Sequence, residues 1–255
     1  MKPNKTLVLT GRLLKHIWRS PDTIITVALI PIVMLLLFVF VFGGAMRTAL
    51  PAGTNYATYM LPGIVLMAVA SGISYTAFRL WQDTQRGIFA RFNTMPIPRS
   101  AALWGHVLTS LVSNAITVVL IFLVGLIVGF RSSAGLLAWL AVAGIVVLFI
   151  LALTWLAVIP GITATSMEGA SAFSYPLIFL PFISSAFVPT ETMPAGVRQF
   201  AQYQPVTPIV NAIRALLTRQ PVGHDLWIAL AWCVGLALVA YVFAVRAYNR
   251  RALSR

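Results

Sequence analysis

Acidic residues are scarce in this chain, which has five Asp and Glu against eighteen Lys and Arg in 255 residues. None of the five lies in the middle of a long hydrophobic stretch; they are Asp22, Asp83, Glu168, Glu191 and Asp225. Carriers driven by a proton or sodium gradient usually bind the ion at an ionisable group buried at membrane depth. The nearest candidate is His106, and a single histidine near the end of a hydrophobic stretch is more often structural than a proton shuttle. The sequence therefore argues against an ion-coupled secondary carrier.

Motifs for catalysis are also missing. The chain has no H-E-x-x-H zinc motif, no G-x-S-x-G nucleophile motif and no phosphate-binding G-x-x-x-x-G-K-[ST] loop. Its three histidines are far apart, and its one cysteine, Cys233, sits in an apolar run without potential ligands nearby. We therefore expect neither an enzyme nor a metal site, and we expect that this chain binds no cofactor. If it transports actively, the energy must come from a partner.

Hydrophobic residues make up 60% of the chain and charged residues only 9%, a composition that excludes a soluble domain. The net charge of +13 raises the possibility of nucleic-acid binding. However, the basic residues alternate with hydrophobic stretches instead of covering one polar face, which favours contact with lipid headgroups. The sequence indicates an all-α integral membrane protein.

The basic residues also predict the topology. Thirteen of the eighteen fall within 2–19, 79–99 and 246–255, and Lys and Arg are enriched in cytoplasmic loops close to membrane helices. A window of about 20 residues, the length that crosses a bilayer, finds six candidate spans at 23–42, 59–81, 101–130, 136–159, 171–188 and 226–248. We therefore expect both termini and the loop after the second span to be cytoplasmic, in the inner membrane of a bacterial-type cell. Pro176 and Pro181 should make the fifth span irregular.

The first 22 residues precede a single membrane domain at 23–255. Their apolar and basic residues segregate on a helical wheel, with Trp18 on one face and Arg12, Lys15 and Arg19 on another. This pattern predicts an amphipathic helix on the inner leaflet. A disordered basic leader is the alternative, because the segment is short and contains a glycine.

The cytoplasmic loop between the second and third spans has the features of a docking site. Phe89 and Phe92 are three residues apart, so a short helix would place both on one face, with Arg86 and Arg91 around them. Aromatic anchors with a basic rim suit a groove in a partner protein, and Asp83 precedes them at the inner end of the second span. An interfacial helix bound to anionic lipid is the alternative.

Aromatic and methionine side chains in the second and fifth spans are candidates for the route of an apolar ligand. They are Met67, Tyr75, Phe78, Phe173, Phe179 and Phe182. Core packing or contact with lipid is the more common explanation for each residue on its own.

Three segments resemble the membrane subunits of type-2 ABC exporters, and in particular the daunorubicin-resistance permease group. They read R-G-I-F-A-R-F-N-T-M-P-I-P-R-S at 86–100, S-S-A-F-V-P-T-E-T-M-P at 184–194 and Q-P-V-T-P-I-V-N-A-I-R at 204–214. Together with the six spans, the similarity covers nearly the whole chain. Ala90 departs from related loops, which often carry an acidic residue at this place, and a polar contact to the partner is weakened by that change.

The resemblance implies a half-transporter. Two six-helix subunits pair, most simply as a homodimer, and each rests on a separate cytoplasmic ATPase subunit that binds ATP and Mg²⁺. It further implies that 86–93 is the coupling helix, that 5–19 is a connecting helix beside it, and that 191–215 is an outer segment that dips partly back into the bilayer. The expected cargo is a drug, an antibiotic or a lipid-like amphiphile. A lipid-linked glycan or envelope precursor is the alternative.

Overall fold

The computed structural model describes residues 21–46, 50, 54–86 and 99–253. This part of the chain is helical and contains no β-strand. Five helices are long and apolar enough to cross a membrane. The first is α1 (Pro21–Leu37), which continues through a π-helical stretch (Phe38–Phe42) and a last turn (Gly43–Met46). The others are α2 (Tyr56–Gln85), α3 (Arg99–Val128), α4 (Leu136–Thr163) and, at the end of the chain, α9 (Asp225–Leu253).

Helix α2 forms the centre of the structure. It packs against α1, α3 and α4, and it also contacts the short helices described below. Two glycines allow this close approach: a Cβ added at Gly63 would overlap Ala186, and one added at Gly125 of α3 would come within 2.9 Å of Leu61. Small residues at helix contacts are the usual means by which membrane helices approach each other. As a result, most of α2 is buried while the outer faces of α1, α3, α4 and α9 are exposed.

The start of α2 is fixed by local polar contacts. The side chain of Asn55 accepts a hydrogen bond from the N–H of Ala57 (2.9 Å) and donates one to the carbonyl of Gly129 at the end of α3 (2.9 Å). The first contact caps the helix and the second ties two helix ends together. Pro62, only two turns further on, does not interrupt α2.

The fifth apolar segment is not the single helix that the sequence predicts. Instead of one helix over 171–188, the chain forms α5 (Met167–Ala172), α6 (Ser174–Phe179) and a 3₁₀ turn (Leu180–Ile183). Pro176 lies in the first turn of α6 and Pro181 in the first turn of the 3₁₀ segment, where a missing N–H is tolerated. Each proline thus ends one helix and starts the next, and the apolar part spans 17 residues, Met167–Ile183.

The segment between 189 and 225 is helical too. It contains a 3₁₀ turn (Thr190–Thr192), the amphipathic helix α7 (Ala195–Tyr203) and helix α8 (Val206–Thr218), whose apolar face is buried against α2, α4 and α9. Arg219 ends α8 in the left-handed conformation (φ 55°). These elements cover the outer segment that the resemblance predicts at 191–215.

Candidate functional site

Two of the three segments that carry the family resemblance meet in the structure. The segment 184–187 follows the broken helix, and α8 lies beside it. Their polar side chains form one connected group, which we call the Arg214 cluster; it consists of Ser185, Gln204, Thr207, Asn211 and Arg214.

The guanidinium of Arg214 holds this cluster together. It donates to the carbonyls of Tyr59 (Nε, 3.0 Å) and Ser185 (Nη2, 2.7 Å) and to Oδ1 of Asn211 (Nη1, 3.1 Å). Its central carbon also lies 3.7 Å from the centre of the Tyr59 ring, a cation–π contact. Arg214 therefore joins α8, the start of α2 and the segment after the broken helix.

The break in the fifth apolar segment explains why a charged donor is placed here. The carbonyls of Ser185 and Ala186 follow a 3₁₀ turn and lie outside any helix, so they need partners other than a helical N–H. Arg214 provides that partner, and Thr207 Oγ1 accepts from the N–H of Ser185 (3.3 Å). Burial lowers the pKa of the Arg214 guanidinium, although arginine remains protonated at physiological pH.

A second polar group lies within the helix bundle. The Thr76 hydroxyl donates to Ser110 Oγ (2.8 Å), which is 3.2 Å from Thr154 Oγ1, so α2, α3 and α4 share one chain of hydroxyls. Asn114 donates to the Ser110 carbonyl (2.9 Å), but its own Oδ1 is buried without a hydrogen-bond partner and faces Gly72. Polar contacts of this kind hold helices together in an apolar environment.

The inner ends of α2 and α3, as oriented by the predicted topology, are joined by a contact between His106 and Asp83. His106 Nε2 lies 3.2 Å from Asp83 Oδ2, with 9% of the histidine side chain and 22% of the aspartate side chain exposed. The sequence placed Asp83 in the coupling region and His106 in a separate structural role, so this pairing was missed. It fixes the two helices that flank the predicted coupling loop.

A cleft runs between α1, α2 and α3 on the same half of the bundle. Its volume is about 40 Å³, which accommodates a few water molecules. Sites for drug-sized ligands usually measure about 300–1,000 Å³, so this cleft is too small for such a ligand.

The six residues predicted to form a ligand route are placed differently from one another. Met67 is 1% exposed and belongs to the core, so it lines no open surface of the chain. Tyr75 and Phe78 have ring centres 5.8 Å apart on α2. Phe179 and Phe182 lie 6.1 Å apart near the break. Phe173, the sixth, is half-buried against the core.

Two further aromatic residues join the pair at the break, and sequence reasoning did not select them. Phe38, at the start of the π-helical stretch, stacks on Phe187 at 4.8 Å and lies 6.3 Å from Phe182. The signal available in the sequence was the F-V-F-V-F run at 38–42, which is unusually aromatic for a first membrane helix. The break is thus covered by the ring of Phe38, which directly follows α1.

Most of the predicted coupling region lies outside the described residues. Phe89, Arg91 and Phe92 belong to 87–98, and Arg86 is the last described residue before it, an exposed C-cap of α2. The predicted connecting helix, with Arg12, Lys15, Trp18 and Arg19, also lies outside the described residues. Within 21–46, 50, 54–86 and 99–253 there is no group of three His, Cys, Asp or Glu side chains arranged to hold a metal ion.

Comparison with known proteins points to a transporter subunit. A family model described as ABC-2 type transporter matches residues 4–218. The chain is 28% identical over 249 residues to the daunorubicin resistance ABC transporter permease protein DrrB1 of Streptomyces coeruleorubidus, across 93% of this chain and 86% of that protein. It is 26% identical over 249 residues to the probable doxorubicin resistance ABC transporter permease protein DrrC of Mycobacterium tuberculosis, across 96% and 88%. A putative transport permease, ycf38 of Porphyra purpurea, is 25% identical over 209 residues.

Proposed function

Because the chain belongs to the ABC-2 type transporter family, we propose that it is the permease subunit of an ATP-driven exporter that moves an apolar or amphipathic drug out of the cytoplasm or inner leaflet. The observation that carries this proposal is the similarity along 93% of the chain to a daunorubicin resistance permease. The five long apolar helices agree with a multi-pass membrane subunit.

ATP hydrolysis belongs to a separate subunit in this proposal. The sequence has no phosphate-binding loop of the kind that ATPases use. We propose two ATPase copies, one under each of two permease copies, with ATP and Mg²⁺ bound on the ATPase subunits. The cleft between α1, α2 and α3 is too small for a drug-sized molecule, so we propose that the drug passes between two permease copies.

The topology that we propose has six crossings, with both termini and the loop after α2 in the cytoplasm. The basic clusters near the ends of α2 and α9 support this orientation. In the fifth crossing the chain passes through the bilayer as α5, α6 and the 3₁₀ turn. Such irregular backbone is tolerated at membrane depth only where protein covers it, and Arg214 and Phe38 supply part of that cover.

Coupling is proposed to run through 82–93. ATP-driven closure of the ATPase pair would move this loop, and the movement would pass into α2 and α3, whose ends the Asp83–His106 pair joins. The inward-facing and outward-facing states would then exchange, because nucleotide favours one of them.

The test uses this chain expressed with its ATPase partner in vesicles. Doxorubicin uptake and ATP hydrolysis are measured for wild type, for a variant with Phe89→Ala and Arg91→Ala, and for Arg246→Ala, which removes an exposed charge from α9 outside the loop. We expect the double variant to insert normally and to lose drug uptake while the control keeps it. Normal uptake in the double variant would disprove the assigned coupling region. A wild type without nucleotide-dependent uptake would disprove the proposed function for this drug class.

A further inference from the structure

Arg79 of α2 is an unusual cation for its position. It lies six residues before the end of α2 at Gln85, which corresponds to about 9 Å of helix. Among the side chains that the structure describes (25–46, 50, 54–86 and 103–250), no carboxylate lies within salt-bridge distance of Arg79. The central carbon of its guanidinium lies 4.6 Å from the centre of the Tyr75 ring, a cation–π contact. A charged side chain inside a membrane helix is costly unless it reaches water, an opposite charge or a lipid phosphate.

Arg79 lines the cleft between α1, α2 and α3, which is open on one side. His106 lines the same cleft, and so do the hydroxyl-bearing side chains of Thr109, Ser113 and Thr117. The guanidinium of Arg79 is a donor for phosphate oxygens. The hydroxyls of Thr109 and Thr117 already donate to the carbonyls of Gly105 (2.7 Å) and Ser113 (3.1 Å), and their lone pairs can accept hydrogen bonds from water. The carboxylate of Asp83 is paired with His106 and is not among the residues that line the cleft.

We propose that this cleft binds the phosphate group of an anionic phospholipid from the inner leaflet, with Arg79 as the principal charge. The cleft, at about 40 Å³, is too small to enclose a headgroup, so the phosphate lies at its mouth beside Arg79 and water inside the cleft links it to the hydroxyls. Basic pockets between membrane helices on the cytoplasmic side are suited to anionic headgroups. The assignment to the inner leaflet rests on the orientation proposed above.

The experiment measures lipid binding to the purified permease in detergent. Dioleoyl phosphatidylglycerol and dioleoyl phosphatidylcholine are titrated and bound lipid is counted by native mass spectrometry. The variants are Arg79→Gln, Arg79→Lys and the matched control Arg246→Gln, which removes the same charge from an exposed position on α9.

We expect Arg79→Gln to weaken phosphatidylglycerol binding about fivefold, the factor that corresponds to about 1 kcal/mol per basic residue at a membrane surface. Arg79→Lys should keep most of the binding, and Arg246→Gln should bind as wild type does. Equal losses in Arg79→Gln and Arg246→Gln, or no preference of wild type for phosphatidylglycerol over phosphatidylcholine, would overturn the proposal. Retained binding by Arg79→Lys also shows that the site survives substitution, so a loss in Arg79→Gln is not a folding defect.

Two further arms identify the source of the phosphate. Glycerol 1-phosphate competing at the same concentration as the lipid would overturn a lipid site in favour of a soluble phosphate ester. Movement of fluorescent phosphatidylglycerol across vesicles that contain the complete transporter would identify the bound lipid as cargo, and binding without movement would identify it as a resident lipid; both support the site. Because binding is measured in detergent without ATPase, its failure leaves the proposed export function untouched.

Discussion

Replacing Arg214 by methionine tests whether one side chain holds the broken helix against the bundle. The substitution keeps an apolar side chain of similar length and removes the donors to Tyr59, Ser185 and Asn211 together with the cation–π contact. Hydrogen bonds to a charged group contribute about 1.5–3 kcal/mol each, and the lower cost of burying an uncharged side chain offsets part of their loss. We expect a net destabilisation of about 3 kcal/mol.

Thermal unfolding in a fixed detergent, followed by tryptophan fluorescence, measures this effect. For a chain of this size, about 3 kcal/mol corresponds to a Tm lower by about 6–12 °C. Arg214→Lys should recover less than half of the difference, because an ammonium group does not reproduce the planar fork that reaches three acceptors. Arg246→Met, at an exposed position, is the control and should unfold within about 1 °C of wild type.

Two results would refute this reasoning. If Arg214→Met and the control Arg246→Met unfold at the same temperature, the guanidinium contributes no net stability, and the carbonyls of Ser185 and Ala186 find other partners. If Arg214→Lys unfolds at the same temperature as wild type, the stabilisation comes from the positive charge and not from the geometry of the guanidinium fork.

Two other predictions concern α2. Gly72→Ala should destabilise the protein by about 1–3 kcal/mol, because the added Cβ would overlap Asn114 Oδ1. Gly144→Ala is the control and should be neutral or stabilising, because no atom lies within 4 Å of the added group. Thermal unfolding of both variants measures the difference. The Asp83–His106 pair should give a coupling energy of about 1 kcal/mol in a double-mutant cycle with Asp83→Asn and His106→Gln, measured by unfolding. A coupling energy indistinguishable from zero would contradict a stabilising contact between the two side chains.

The long helices were predictable because length and hydropathy determine them. The five long apolar helices match five predicted spans, and no end differs by more than five residues. Helix α2 begins after its N-cap Asn55 and continues through Thr84 and Gln85, beyond the predicted span at both ends. These residues lie in polar sequence, where a hydropathy window gives no signal.

The sequence predicts that the fifth span is irregular, but not how its backbone is arranged. Pro176 and Pro181 indicate an irregular helix, and each lies in the first turn of a new helical segment. What hydropathy does not reveal is how the freed carbonyls are satisfied. Here hydroxyls do so locally, since Ser174 donates to the carbonyl of Ser171 (2.7 Å) and Ser184 to that of Pro181 (2.6 Å).

The Arg214 cluster lay beyond sequence reasoning because its contacts join distant parts of the chain. Arg214 lies between the predicted fifth and sixth spans, where a solvated charge is the ordinary expectation. Its acceptor in α2, the carbonyl of Tyr59, is 155 residues away. Only the three-dimensional packing of α8 against α2 makes this arginine a structural residue.

Helix α2 links the two regions that the proposed cycle must coordinate. At one end the carbonyl and ring of Tyr59 hold Arg214, and at the other Asp83 pairs with His106, about 36 Å of helix away. Between them α2 is largely buried, and Gly63 and Gly72 leave little space at its contacts with the break and with α3. A tightly packed helix transmits displacement along its axis instead of absorbing it. A movement delivered to the end of α2 near 82–86 would therefore reach the broken segment, where the backbone has the fewest helical hydrogen bonds and the least resistance to rearrangement.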